Sequence, residues 1–125
     1  MSNYKEITHE ELKKKLDNKE DIAVIDTLGE MSYERAHLPR AVMIDGHEAD
    51  FVGKVEKMFP DKNKEIVVYC ASFSCPLSGA SANKLMGVGY KNVSAFEGGL
   101  MDWAEAGYDF EGNQAQEMKA KWSKK

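Results

Sequence analysis

No apolar run in this 125-residue chain approaches the roughly 18 residues that a bilayer-spanning helix requires. Its opening, Met1-Ser-Asn-Tyr-Lys-Glu6, is polar and unlike a signal sequence. A soluble, cytoplasmic protein with no membrane partner is expected. Basic blocks are missing as well. Seventeen basic residues face 21 acidic ones, for a net charge of -4, and beyond the short Lys13-Lys14-Lys15 run lysines gather in the C-terminal tail. Nucleic acid is therefore not an expected partner. Cysteine is scarce: Cys70 and Cys75 stand five apart in one stretch, a poor staple for a secreted fold. Chemistry or redox sensing explains that pair better than architecture does. His37, His47 and the cysteines lack the compact spacing of a zinc site, so neither a metal nor a cofactor is expected.

What the chain does have is organised around residues 65–78. Ile66, Val67, Val68 and Tyr69 are β-branched or aromatic without polar alternation, as in a strand covered on both faces within a parallel sheet. Cys70 stands at the C-terminal end of that strand, where ligands bind in open α/β sheets. Small and polar residues follow, and Pro76 suits a first helical position with Ser74 or Cys75 as the cap. A helix N-terminus beside a thiol favours the thiolate, which predicts a Cys70 pKa below the ordinary thiol value. Two readings stand at this level: an activated nucleophile, or the small buried hydrophobe that free cysteines usually are.

Along the rest of the chain, Thr8 and Glu11 form a capping box that predicts a helix over about 9–17, with Leu12 and Leu16 on its inner face. His9 and the Lys13-Lys14-Lys15 run are expected on the solvated surface. Residues 22–26 read as a buried strand ending in Asp26. That carboxylate either faces the crevice of Cys70 or bonds the backbone of the loop after it. Ser32 is placed to cap a short helical turn over 33–35, stopped by His37-Leu-Pro39, and 41–44 form the next strand. His37 is expected to bond a backbone carbonyl rather than serve Cys70. His47 is expected to begin a helix over 48–58 with Phe51, Val55, Met58 and Phe59 on its apolar face. A helix after the Cys70 loop ends at Gly89, a strand covers 92–96, Gly98-Gly99 make a tight connection, and a helix over 100–106 carries Trp103. Ala115, Met118 and Trp122 share one stripe of a last helix, expected to pack back on the body. Alternating strands and helices indicate a single α/β domain over 1–125 with a mainly parallel sheet.

Taken together, Asp26, Tyr33-Glu-Arg-Ala-His-Leu-Pro-Arg-Ala41, Ile66-Val-Val-Tyr-Cys70, Gly89-Tyr-Lys-Asn-Val93, and Glu97-Gly-Gly99 with Trp103 resemble a single-domain rhodanese in order and spacing over about residues 5–112, leaving 113–125 as a helical extension. The resemblance implies a three-layer α/β domain and a sulfurtransferase. In such an enzyme Cys70 takes a sulfane sulfur from a donor such as thiosulfate, polysulfide or a persulfide, and passes it to cyanide, a thiol or an acceptor protein. It implies that Ala71, Ser72, Phe73, Ser74 and Cys75 wrap the outer sulfur with backbone N–H groups. The chain departs from the family pattern at Ala36 and Arg40, where glycines are usual. It has no arginine or lysine between Cys70 and Ser81, which argues against a dianionic donor and leaves Arg35 and Arg40 as the nearest cations in sequence. Cys75 is a candidate resolving thiol or a packing residue. Rival readings are a non-turnover sulfur-sensing or partner-binding module and a thiol–disulfide protein using Cys70 and Cys75. A phosphatase is set aside because Pro76 stands where its loop needs arginine.

Overall fold

The apolar run at 66–69 demands cover on both faces, and the computed structural model, which describes residues 4–123, provides it. In chain order the elements are β1 (Lys5–Glu6), α1 (His9–Asp17), β2 (Ile22–Asp26), α2 (Glu30–Arg35), β3 (Ala41–Met43), α3 (Phe51–Met58), β4 (Glu65–Tyr69), α4 (Leu77–Gly87), β5 (Val93–Phe96), α5 (Gly99–Glu105) and α6 (Ala115–Trp122). The strands form one all-parallel sheet in the order β1-β5-β4-β2-β3, with β4 in the middle. This is the α/β architecture that the strand and helix pattern predicts.

Strand alternation sorts the core into two layers. Val67 and Tyr69 pack with Leu12, Leu16, Leu100 and Trp103, so α1 and α5 cover one face. Ile66 and Val68 pack with Phe51, Val55, Ala82 and Leu85, so α3 and α4 cover the other. Each fully buried valine, leucine, isoleucine or phenylalanine among them contributes about 1.5–3 kcal/mol of transfer free energy. Ala115, Met118 and Trp122 pack against the first layer, so α6 closes on the body as expected. Among the described residues no helix is long and apolar enough to cross a membrane.

Several helix ends differ from expectation, each for a local reason. The Thr8–Glu11 capping box forms as read. The second helix instead starts at Glu30 with Gly29 as its cap, which leaves Ser32 inside it. α3 starts at Phe51, not at 48. Asp45 first accepts the His47 N–H at 2.9 Å, and turns from Asp45 to Glu48 and from Glu48 to Phe51 occupy the intervening backbone. Pro76 is the cap residue of α4 rather than its first helical residue, and no side chain caps that helix. At its other end Gly89 behaves as read. With φ at +102° it lets its own N–H reach Met86 O and the Tyr90 N–H reach Leu85 O, both at 3.1 Å. Arg40 stands in a left-handed turn, at φ +67°, a conformation costing an L-residue about 1–2 kcal/mol. His9 is not a free surface residue. Its Nδ1 lies 3.1 Å from both carboxylate oxygens of Asp102, and its ring meets Tyr108 edge-on, because α1 lies against the α5 layer.

Candidate functional site

The alternation that buries Ile66 and Val68 under α4 carries on to Cys70, whose thiol is fully buried on that side of the sheet. Tyr69 points the other way. Its hydroxyl donates to Asp26 Oδ2 at 2.8 Å and accepts the Leu38 N–H at 3.1 Å. Asp26 also accepts the Leu28 N–H at 2.9 Å. It therefore bonds the loop that follows it and does not share the Cys70 crevice. Burial raises the Asp26 pKa above the ordinary carboxylate value, against the pull of Leu28 and Tyr69.

Tyr69→Phe keeps the volume but orphans the Leu38 amide and takes one donor from a buried carboxylate. The expected loss is about 2–4 kcal/mol at neutral pH, measured by urea unfolding. Because the folded Asp26 pKa is already raised and would rise further, the loss should shrink as pH falls through that pKa and the carboxyl becomes neutral. A loss independent of pH would mean that Asp26 is not ionised beside Tyr69.

Beyond Cys70 the loop turns tightly: the Cys75 N–H bonds Ser72 O at 3.0 Å, and the Ser72 and Ser74 hydroxyls meet at 3.1 Å. The turn brings the Cys75 carbonyl to 3.4 Å from Cys70 Sγ and sets the two thiols near enough to shift each other's pKa. The loop is anchored from behind by α5. The N–H groups of Leu100 and Met101 bond Cys70 O and Ala71 O at 3.1 and 3.0 Å. Gly99 permits this approach, at φ +61°, since a Cβ there would lie 2.2 Å from Cys70 O.

The expected lowering of the Cys70 pKa is not what the site produces. Burial pushes the Cys70 thiol up, and its contact with Cys75 pushes it further. The Ser78 hydroxyl and N–H pull the other way. That hydroxyl is fully buried and has no hydrogen-bond partner among the described residues, as is also true of Ser81. For Cys75 burial raises the pKa too, but the hydrogen bonds from Cys70 and from the Ala71 and Leu77 N–H groups outweigh it and hold the thiol below its ordinary value. The helix-terminal donors that the sequence reading assigned to Cys70 are thus divided, and Leu77, the first residue of α4, serves Cys75.

Cys75 is half-buried and lines an open groove of about 430 Å³ with Phe73, Pro76, Ser78, Asn83 and Glu97. Phe73 is 73 % exposed at the loop tip. A second cleft on its other side, about 260 Å³, is edged by Glu6, Glu10, Glu97 and Asp102. The surroundings are acidic. Neither arginine named from the sequence as a cation outside the loop lines the groove: Arg40 bonds Glu20 O at 2.9 Å, and Arg35 ends α2 at an exposed position. His37 bonds Tyr33 O at 2.6 Å and stacks on the Tyr33 ring, the backbone role expected of it. Sequence reasoning missed Ser78, and it read Gly99 as a tight connection without its approach to the Cys70 backbone. The signal for Ser78 was a hydroxyl, three residues before Ser81, on the helix face that had to bury against the sheet.

A model of the Rhodanese-like domain family matches residues 8–106. The Bacillus subtilis protein named "Putative sulfur carrier protein YrkF" is 30% identical over 102 residues; the match covers 82% of this chain and 52% of that protein, so the chain spans about half the length of this curated relative. Among solved structures, the BH2092 protein of Bacillus halodurans superposes with a TM-score of 0.81 at 25% identity, over 90% of this chain and 80% of that one. The Rhodanese-like domain of the Anabaena sp. Alr3790 protein gives 0.78 at 24% identity, covering 87% and 80%. Thiosulfate sulfurtransferase from Pseudomonas aeruginosa gives 0.78 at 22% identity, covering 95% of this chain and 24% of that one. The last two likenesses speak for the shared fold alone.

Proposed function

The chain belongs to the rhodanese-like domain family, and on that premise we propose that it is a sulfurtransferase that carries sulfane sulfur as a persulfide on Cys70. The observation that carries this reading is the address of Cys70: a buried thiol at the C-terminal end of the central parallel strand, where the buried Ser78 at the start of α4 acts on it. In the loading step Cys70 Sγ attacks the sulfane sulfur of a donor R–S–SH. A new S–S bond forms as the donor's own S–S bond breaks, and RSH leaves with the proton that Cys70 gives up. In the second step a thiol or cyanide attacks the outer sulfur and returns Cys70 as the leaving thiolate. The Ser78 hydroxyl and N–H favour the thiolate that both steps pass through.

The charge around the loop narrows the donor. With no lysine or arginine from Ala71 to Ala80 and Glu97 beside the groove, a dianion such as thiosulfate meets no counter-charge. Neutral or singly charged persulfides and short polysulfides fit better. The relative named as a sulfur carrier supports sulfur cargo of this general kind.

The test is turnover. Protein supplied with polysulfide and cyanide should form thiocyanate in many-fold excess over enzyme, and faster than with thiosulfate at equal concentration. Uptake of one sulfur with no further product would favour a sensing module, the reading that the raised Cys70 thiol supports.

A further inference from the structure

We propose that Cys75 is a resolving thiol: it attacks Cys70 Sγ of the loaded persulfide, closes a Cys70–Cys75 disulfide and expels the carried sulfur as hydrosulfide. The inference rests on the persulfide reading above and adds an outcome in which no external acceptor takes the sulfur.

The geometry supplies three reasons. The turn closed by the Cys75 N–H on Ser72 O folds Cys75 back over Cys70, with its carbonyl 3.4 Å from Cys70 Sγ and the two thiols near enough to shift each other's pKa. A disulfide needs Cα atoms within about 7 Å, a separation that a loop curled to this degree brings within reach. The Ala71 and Leu77 N–H groups lower the Cys75 pKa, so the loop supports negative charge on the attacking atom. Finally, Cys75 borders the groove whereas Cys70 does not, which leaves one sulfur of the closed disulfide within reach of an external dithiol.

The step balances within the protein. Starting from Cys70–S–SH and the Cys75 thiolate, the Cys70 Sγ–Cys75 Sγ bond forms as the bond from Cys70 Sγ to the outer sulfur breaks. The outer sulfur leaves with the bonding pair and its proton as HS⁻. Sulfane sulfur is reduced by two electrons, and the two cysteines supply them on becoming a disulfide. An external dithiol of the thioredoxin class of chemistry then restores the thiols by exchange. Proximity favours this route over attack by a dilute free thiol, since the two sulfurs share one short loop.

The test follows wild type and Cys75→Ser after one equivalent of inorganic polysulfide, with alkylation quench, intact mass, sulfide determination and mapping of the tryptic peptide 65–84, which contains both cysteines. The expected result for wild type is a transient gain of about 32 Da, then its loss, one sulfide released, and a peptide about 2 Da light from the disulfide. In Cys75→Ser the persulfide should persist at least about 10-fold longer. Persulfide of equal lifetime in both proteins, without a disulfide, would overturn the resolving role and leave the Cys70 reading standing. Sulfur that moves onto Cys75 without a disulfide would also overturn it, in favour of a relay. No sulfur on either cysteine would overturn the Cys70 reading itself. Should Cys75→Ser fail to fold, the wild-type peptide and sulfide yield decide the matter alone.

Discussion

Gly99→Ala is expected to be the most damaging single-methyl change in the chain. The added Cβ would lie 2.2 Å from Cys70 O and 2.8 Å from Ala71 C, both backbone atoms that no rotamer change can move aside. The left-handed φ of +61° adds about 1–2 kcal/mol for any L-residue. To relieve the overlap, the start of α5 must retreat from the loop, which breaks the Leu100 and Met101 hydrogen bonds to Cys70 and Ala71. A loss of about 3–5 kcal/mol follows, seen as a fall in Tm of roughly 10–20 °C. The control is Gly53→Ala in α3, where nothing lies within 4 Å of the new methyl and φ is not left-handed. That change should stabilise by about 0.5–1 kcal/mol through helix propensity. Equal effects at the two positions would refute the claim that Gly99 anchors the Cys70 loop.

Cys70→Ser should lower sulfur transfer by about 1000-fold or more, since an alcohol cannot hold a sulfane sulfur and the whole cycle passes through that atom. The fold should survive it. A serine hydroxyl can donate to the Cys75 carbonyl that Cys70 Sγ already approaches, so the change in stability should stay within about 1 kcal/mol. Circular dichroism and urea midpoints check the second statement while thiocyanate formation checks the first. Well-folded Cys70→Ser protein with retained turnover would move the chemistry to Cys75.

What could be read from the sequence was whatever one element determines by itself. β4 is apolar at every inner position because both faces are covered, and the Thr8–Glu11 box and Gly89 act through neighbours a few residues away. Such features are legible locally. Helix starts were read less well at Phe51 and Leu77, because Asp45 and Pro76 divert the backbone first, and turn chemistry of that kind competes closely with helix. The pairing of His9 with Asp102 joins residues 93 apart and depends on how α1 meets α5. The site shows the same divide. Cys70 could be located from an apolar run that stops at a thiol, whereas the sharing of N–H donors between Cys70 and Cys75 depends on the direction each loop amide takes after the turn at 72–75. That is also why the expected acidic Cys70 gave way to a buried thiol with its pKa raised beside a more acidic Cys75.

The central claim is a sulfur covalently held on Cys70. It is tested most directly by peptide-resolved mass measurement of reduced wild-type protein, alkylated within seconds of adding one equivalent of polysulfide. The account predicts a gain of about 32 Da assigned to Cys70 at the earliest time, before any sulfide appears. Folded protein that never carries sulfur on Cys70, or that carries it first on Cys75, would contradict it.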